Sequence, residues 1–139
     1  MIIEQIETPQ DVDAVVAMAR NHPAPEYDCT FEYFETVLRN IIFTPNVKGW
    51  ILKDGVKYAG YTIGIVSKQL AHQINVFDIY LEPQYRGQKN ILYLTDKLIE
   101  WAKEERVLRI MWTSRWPVEA WSKLIGMKVG QYFTYVLEV

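Results

Sequence analysis

The chain has 139 residues, of which 50% are hydrophobic and 23% are charged. This length and balance are typical of one compact domain with a hydrophobic core, and they argue against a disordered or multidomain protein. The formal net charge is -2, which leaves no excess of basic residues to hold a polyphosphate backbone, so nucleic acid is not an expected partner.

The first part of the chain predicts a strand and two helices. Residues Met1 to Ile6 are apolar-rich and favour a short strand. A helix is predicted from about Pro9 to Arg20, because Thr8 suits its N-cap and Asp11 completes a near capping box. After a loop containing prolines, Thr30 suits the cap of a second helix. The apolar face of that helix is Phe31, Phe34, Val37, Leu38 and Ile41.

The middle of the chain predicts a hairpin and a central strand. Trp50 to Lys53 and Val56 to Val66 flank the dipeptide Asp54-Gly55, which suits a two-residue turn between antiparallel strands. Ile74 to Leu81 is almost continuously apolar, as expected for a central strand that is covered on both faces.

The last part of the chain predicts a crossover unit. A helix from about Asn90 to Glu105 joins the central strand to another strand, Val107 to Thr113, so these two strands should be parallel. Where parallel strands part at their carboxyl ends, a crevice opens for a ligand. A short helix is then predicted to begin at Pro117 and to end at Gly126. The residues from Met127 to Val139 favour a closing strand.

Several kinds of site are not predicted. Cys29 is the only cysteine, so it cannot pair within the chain, and it lacks the local signature of a nucleophile. The histidines and carboxylates show no metal-ligand spacing, so we expect no metal. No signal peptide and no apolar run of about 18 residues are present. We therefore expect a cytoplasmic protein without a membrane partner.

The segment IYLEPQYRG, Ile79 to Gly87, resembles the strand end, proline and Q/R-x-x-G-x-G/A loop of the GNAT superfamily of acetyl-CoA-dependent N-acetyltransferases. Gln84 and Gly87 match the first two fixed positions of that loop, whereas Lys89 stands where the family has Gly or Ala and Ile91 where many members have a further Gly. The downstream segments LTDKLIEWAKEERVLRIMWTS and WSKLIGMK are similar to the helix, strand and Y-x-K-L-G-F segment that follow in the family.

The resemblance implies an α/β (α+β) fold, with a mixed, mostly antiparallel central sheet of six or seven strands flanked by about four helices. One parallel strand pair would be splayed for the cofactor. The order of predicted elements agrees with this fold over essentially the whole chain. We therefore expect a single acetyltransferase-like domain over residues 1–139.

The implied cofactor is acetyl-CoA, which donates the acyl group. Backbone N–H groups at a helix start can bind pyrophosphate without fixed charges, and a glycine lets the phosphate approach closely. By resemblance, the pyrophosphate would be held by Arg86, Gly87, Gln88, Lys89, Asn90 and Ile91. The pantetheine arm and thioester would meet the backbone of Ile79, Tyr80 and Leu81. Lys89 would cost about 1 kcal/mol if its position requires a left-handed backbone.

Acetyl transfer to an amine needs a neutral amine and a proton for the departing thiolate. Asp78, on the central strand, is the candidate general base. Strict alternation places it on the same face of that strand as Ile74, Val76 and Tyr80. The alternative is that Asp78 belongs to a structural ion pair or hydrogen-bond network.

The family's usual general acid is a tyrosine, whose position falls on Ser122 or, in a second alignment, on Trp121. Neither residue is a good acid. Solvent or another tyrosine would then protonate the thiolate, and the candidates for that tyrosine are Tyr80, Tyr132 and Tyr135.

The expected acceptor is a small amine or a peptide amine. By resemblance, it would meet an aromatic and acidic lining composed of Tyr27, Asp28, Phe31, Glu32, Tyr33 and Glu35. Two alternatives remain at this level: a non-catalytic module of the same fold that binds acyl-CoA or a protein, and an interaction protein in which exposed tryptophans and tyrosines build a homodimer.

Overall fold

A computed structural model of the chain describes residues 1–21, 30–69, 72–113 and 118–130. The elements within these residues follow one another in an order close to the predicted one. They are β1 (Ile2–Gln5), α1 (Pro9–Ala19), α2 (Phe31–Ile41), β2 (Val47–Asp54), β3 (Lys57–Ser67), β4 (Gln73–Leu81), a 3₁₀ turn (Pro83–Tyr85), α3 (Ile91–Glu105), β5 (Arg109–Met111) and α4 (Val118–Ile125).

The five strands form one mixed sheet in the order β1-β2-β3-β4-β5. Neighbouring strands are antiparallel except for β4 and β5, which are parallel and joined through α3. This confirms the predicted crossover and the mixed, mostly antiparallel α/β class. The described residues contain four α-helices, as expected, but only five strands, which is fewer than the predicted six or seven.

The closing strand accounts for the difference in strand number. Residues 127–130, where that strand should begin, form no strand, and residues 131–139 lie outside the described part of the chain. Pro117 and the loop residues 22–29, including Cys29, also lie outside it.

The helices cover both faces of the sheet. A capping box starts α1, because Thr8 Oγ1 accepts the Asp11 N–H and the Asp11 carboxylate accepts the Thr8 N–H. Together α1 and α2 bury one face, where Leu38 and Tyr61 are almost fully enclosed. The other face is covered by α3, with Trp101 at its centre. Burial of both faces explains why β4 is rich in apolar residues.

The hairpin between β2 and β3 turns one residue later than predicted. Asp54 still pairs with Lys57, so the two-residue turn is Gly55-Val56. Gly55 has a φ of +62°, which suits the first central position of a hairpin turn and which glycine adopts without a steric penalty.

Candidate functional site

A gap opens between the two parallel strands. The pairing of β4 with β5 covers only three positions and ends where Asn75 lies opposite Met111. Beyond that point β4 continues to Leu81, and no strand of the described residues pairs with Val76–Leu81 on this side. The predicted strand Val107 to Thr113 is therefore shorter than expected, and its shortness leaves one edge of β4 open.

A β-bulge in β4 lies next to the end of the pairing. Opposite β3, Ile63 pairs with Asp78 but Gly64 pairs with Val76, so Phe77 is an extra residue. A bulge bends its strand and increases the local twist. This bend gives a physical reason why β5 does not follow β4 further.

The bulge also changes which face Asp78 occupies. Ile74 packs in the α3 cluster and Val76 packs against it, but Tyr80 and Phe77 belong to the side of α1 and α2. Asp78 contacts Tyr61 on that second side. The predicted alternation was therefore wrong in grouping Asp78 with Ile74 and Val76, because the extra residue shifts the period by one.

The Asp78 carboxylate accepts hydrogen bonds from Tyr61 and Ile79. The Tyr61 hydroxyl donates to Asp78 Oδ2 at 2.5 Å, and the Ile79 backbone N–H donates to Asp78 Oδ1 at 2.9 Å. The carbonyl oxygen of Asp78 also accepts the hydroxyl of Thr62 at 3.1 Å. The candidate base thus lies in a fixed network beside the gap.

Tyr61 is a site residue that the sequence did not reveal. It is fully buried on β3, pairs with Tyr80, and reaches Asp78 diagonally across the two strands. Burial raises the pKa of Tyr61 well above its usual value, and the Asp78 carboxylate raises it further. Tyr61 therefore remains a hydrogen-bond donor at neutral pH. Its partner is identified only by the register of β3 against β4.

Tyr80 lies beyond the bulge on the same face. Its ring centroid is 5.8 Å from that of Tyr61, and its hydroxyl lies 3.4 Å from Glu82 Oε2. Burial raises the pKa of Tyr80, as does the neighbouring Glu82 carboxylate. Like Tyr61, Tyr80 keeps its proton at neutral pH.

The loop after β4 leads into the start of α3. Arg86 donates its backbone N–H to the carbonyl oxygen of Pro83. Among the described residues, no backbone or side-chain acceptor receives the N–H groups of the next five residues, Gly87 to Ile91, and no side chain caps α3. These donors are unpaired at the positive end of a helix dipole, which is the chemistry that suits a phosphate.

Two residues of this loop have a left-handed backbone. Gly87 has a φ of +81° and Lys89 a φ of +59°. No atom lies within 4 Å of the position that a Cβ on Gly87 would take, so this side of the loop is open to a ligand. Lys89 thus fulfils the condition under which we expect a strain of about 1 kcal/mol.

Replacing Lys89 by Gly should relieve that strain. We expect the free energy of unfolding to rise by about 0.5–1 kcal/mol, as measured by urea denaturation. Gln88→Gly is the matched control, because Gln88 does not have a positive φ. Glycine there should leave stability unchanged or reduce it by up to about 1 kcal/mol. A loss of stability in Lys89→Gly would contradict the assigned strain.

A shallow cavity of about 290 Å³ adjoins the loop. It is lined by Gln88, Lys89, Asn90, Leu92, Tyr93 and Asp96. The cavity lies beside the unpaired N–H groups, and the open edge of β4 precedes them in the chain. An extended ligand with an amide-containing arm and a pyrophosphate needs these two kinds of backbone group, so the residues present fit CoA.

Ser122 lies on α4, which follows α3 and β5 in the chain. Its hydroxyl oxygen accepts the Val129 N–H at 3.2 Å, which ties the end of α4 to the following residues. The neighbouring Trp121 is buried, and its ring meets that of Trp112 edge to face at 5.4 Å. The positions of Tyr132 and Tyr135 fall outside the described residues.

The residues expected to line the acceptor site are only partly described. Glu32 and Tyr33 are exposed on α2. Glu35 forms an ion pair with Arg39 at 3.2 Å, and the ring of Phe31 lies 4.6 Å below the guanidinium of Arg20. Tyr27 and Asp28 lie outside the described residues.

The described ranges contain no cluster of side chains that could hold a metal ion. None of the helices described is long and apolar enough to cross a membrane.

Residues 13–120 match the model of the acetyltransferase (GNAT) family. The chain belongs to the GNAT family. The resemblance seen in the sequence is thereby confirmed, and acetyl-CoA, the predicted cofactor, is the acyl donor that this family uses. No curated protein sequence matches the chain.

Solved structures of GNAT proteins share its fold. A predicted acetyltransferase from Clostridium acetobutylicum with acetyl-CoA is 13% identical, with a TM-score of 0.75 over 98% of this chain and 96% of that one. A ribosomal-protein-alanine N-acetyltransferase from Brucella melitensis is 14% identical, with a TM-score of 0.72 over the whole of both chains. An aminoglycoside 6'-N-acetyltransferase from Acinetobacter haemolyticus is 9% identical, with a TM-score of 0.77 over 100% of this chain and 99% of that one. At these identities the likeness concerns the fold.

Proposed function

We propose that this GNAT protein is an N-acetyltransferase that moves an acetyl group from acetyl-CoA to an amine by direct attack, without a covalent enzyme intermediate. The observation that carries the proposal is the open edge of β4, Val76–Leu81, which includes Asp78 and is followed, after the 3₁₀ turn Pro83–Tyr85, by the loop of unpaired N–H groups. A thioester, a base and a phosphate site would thus be served by one continuous stretch of chain.

The donor would be held mainly by backbone groups. The N–H groups of Gly87, Gln88, Lys89, Asn90 and Ile91 bind the pyrophosphate. The pantetheine arm bonds the backbone of Ile79 to Leu81 through groups other than the Ile79 N–H and the Leu81 carbonyl oxygen, which bind Asp78 and Arg86. When bound, acetyl-CoA supplies a thioester that an amine can attack. Arg86 is not among these N–H donors, because its backbone N–H donates to the Pro83 carbonyl oxygen and its Nε donates to the Leu81 carbonyl oxygen at 2.8 Å.

Asp78 is assigned the role of general base. An amine is mostly protonated at neutral pH, so a proton must leave before its nitrogen can form a bond to the acetyl carbon. Asp78 would accept this proton, directly or through a water molecule, while Tyr61 and the Ile79 N–H hold its carboxylate in place. The proton then stays on Asp78 until solvent removes it.

The departing sulfur needs a proton from another group. Ser122 occupies the position of the family's tyrosine, but an aliphatic hydroxyl is a very weak acid. Tyr80 is the better candidate among the described residues, because it carries a phenol on the face of β4 that also carries Asp78. Solvent is the remaining source.

Acetyl-CoA binding is the first test. A ligand at 100 times its dissociation constant should stabilise the folded protein by about 2.7 kcal/mol, which corresponds to roughly 10 °C in Tm for a domain of this size. ADP is the control, because it carries a pyrophosphate without the pantetheine arm and should shift Tm less. If no short acyl-CoA shifts Tm, the proposal is wrong.

A non-catalytic acyl-CoA-binding module is the second candidate. Two observations favour it: Ser122, a very weak acid, stands at the position of the family's tyrosine, and Lys89 strains the loop that would hold the donor. A thiol-release assay with a panel of amines and peptides separates the two functions. Release above the rate with water alone supports the enzyme, whereas binding without release supports the module.

The acceptor is proposed to be a small amine or a peptide amine, and residues 1–139 are proposed to form a single domain. The alternative is an interaction protein that dimerises through exposed tryptophans and tyrosines. Trp50, Trp101 and Trp121 are buried, whereas Tyr33, Tyr58 and Tyr93 are exposed. Sizing the protein in solution tests for a homodimer.

A further inference from the structure

The loop that follows β4 is braced by a buried side chain. Asn90 is only 7% exposed, and its Nδ2 donates to the carbonyl oxygen of Tyr85 at 3.0 Å. This bond closes a ring around residues 86–89, which include both left-handed positions, Gly87 and Lys89. A buried carboxamide at the start of a helix is expensive unless it is hydrogen-bonded, so this bond accounts for its burial.

Tyr85 is anchored in turn to the sheet. It is buried, and its hydroxyl donates to Asp54 Oδ2, at the end of β2, at 2.9 Å. A chain of two hydrogen bonds therefore runs from the β2–β3 hairpin through Tyr85 to Asn90. On the other side of Asn90, the carbonyl oxygens of Lys89 and Asn90 accept the N–H groups of Leu92 and Tyr93, which fixes the first turn of α3.

We propose that Asn90 is a positioning residue for the donor: through Tyr85 it holds the loop 86–89 in the conformation in which its N–H groups converge on the pyrophosphate of CoA. This inference rests on the proposed function. Its basis is that the unpaired N–H groups of the loop are ordered by side chains that do not themselves need to touch the ligand.

Preordering matters because binding otherwise has to order the loop. A loop that is already in its bound conformation does not lose conformational entropy on binding. The strain at Lys89 makes this bond necessary. Without the bond from Asn90 to Tyr85, a left-handed lysine would relax to a commoner backbone conformation. The bond from Asn90 should therefore increase the affinity only of ligands that contact the loop 86–89. The affinity of ligands that contact only β4 should not depend on it.

The test compares two ligands on variants of the whole chain. Asn90→Leu keeps the size of the side chain and removes its donor. CoA carries the pyrophosphate, and S-acetylpantetheine carries the thioester arm without it. We expect Asn90→Leu to weaken CoA binding about fivefold to tenfold, as followed by NMR titration, and to leave S-acetylpantetheine unchanged. Asn40→Leu, on exposed α2, is the matched control and should bind both ligands as the wild type does.

A second measurement needs no ligand. Backbone order parameters of Gly87 and Gln88 in the free protein should fall from about 0.85 in the wild type towards 0.6 in Asn90→Leu. The proposal is overturned if these values do not change, or if the folded variant binds CoA normally or loses affinity for both ligands equally. Should Asn90→Leu not fold, Tyr85→Phe removes the anchor to Asp54 and must weaken CoA binding selectively.

These outcomes are separable from a failure of the proposed function. If wild-type protein binds no CoA, the proposed function is wrong, whatever the variants do. If the wild type binds CoA and Asn90→Leu is unaltered in both affinity and loop order, only the positioning role of Asn90 is wrong.

Discussion

Asparagine in place of Asp78 is expected to lower kcat by about 100-fold to 10,000-fold, the range typical for loss of a general base. The Kd of acetyl-CoA should change little, because the donor is assigned to backbone groups. Asn keeps one oxygen that can accept the Ile79 N–H, and its NH2 group can donate to the Tyr61 hydroxyl oxygen, so the network around the bulge is largely preserved. The measurement is thiol release with the best amine from the panel, together with acetyl-CoA binding by thermal shift.

Asp13→Asn is the matched control for this prediction. Asp13 lies on α1 and forms an exposed ion pair with Arg39, so its loss should leave kcat unchanged. A folded Asp78→Asn protein with wild-type kcat would show that the Asp78 network is structural. A fall in kcat accompanied by lost acetyl-CoA binding would indicate a disturbed β4 rather than a lost base.

Alanine in place of Trp101 is expected to reduce the free energy of unfolding by about 3–5 kcal/mol. Trp101 is 2% exposed and packs edge to face on Trp50 at a centroid distance of 5.8 Å. It fills the space left by Gly64, where an added Cβ would lie 3.1 Å from the indole ring. Because the backbone of β3 cannot move into the vacated volume without breaking its pairing, most of the cavity should persist. Such a loss is a large part of the stability of a domain of this size.

Urea unfolding followed by circular dichroism measures this effect. Leu108→Ala is the control, since Leu108 is 85% exposed and its truncation should change stability by no more than about 0.5 kcal/mol. A loss below about 1.5 kcal/mol for Trp101→Ala would mean that α3 repacks on the sheet, and the core described around Trp101 would then be wrong.

Local signals in the sequence were sufficient for several elements. The predicted helix Asn90 to Glu105 is observed as Ile91–Glu105, because its apolar residues recur at a helical period over four turns. The capping residues Thr8 and Thr30 were also identified correctly, since a cap depends on neighbours only three residues away.

The sequence did not indicate how residues of different strands pair. Strict alternation put Asp78 with Ile74 and Val76, but the register with β3 inserts Phe77 as a bulge and turns Asp78 to the other face. The partner of Asp78, Tyr61, lies 17 positions away. Neither the bulge nor this contact leaves a local pattern, because both depend on how two strands align.

The order of the predicted elements and the resemblance carried by the Gln84 to Ile91 loop indicated the fold family and the cofactor. Because the proposed phosphate site relies on oriented N–H groups rather than on a basic patch, a net charge of -2 is no obstacle. The tertiary structure alone decided the rest: the early end of β5, the face of Asp78, the left-handed Lys89 and the brace from Asp54 to Asn90. Each of these results from contacts between segments that are distant in the chain or from backbone angles that such contacts impose.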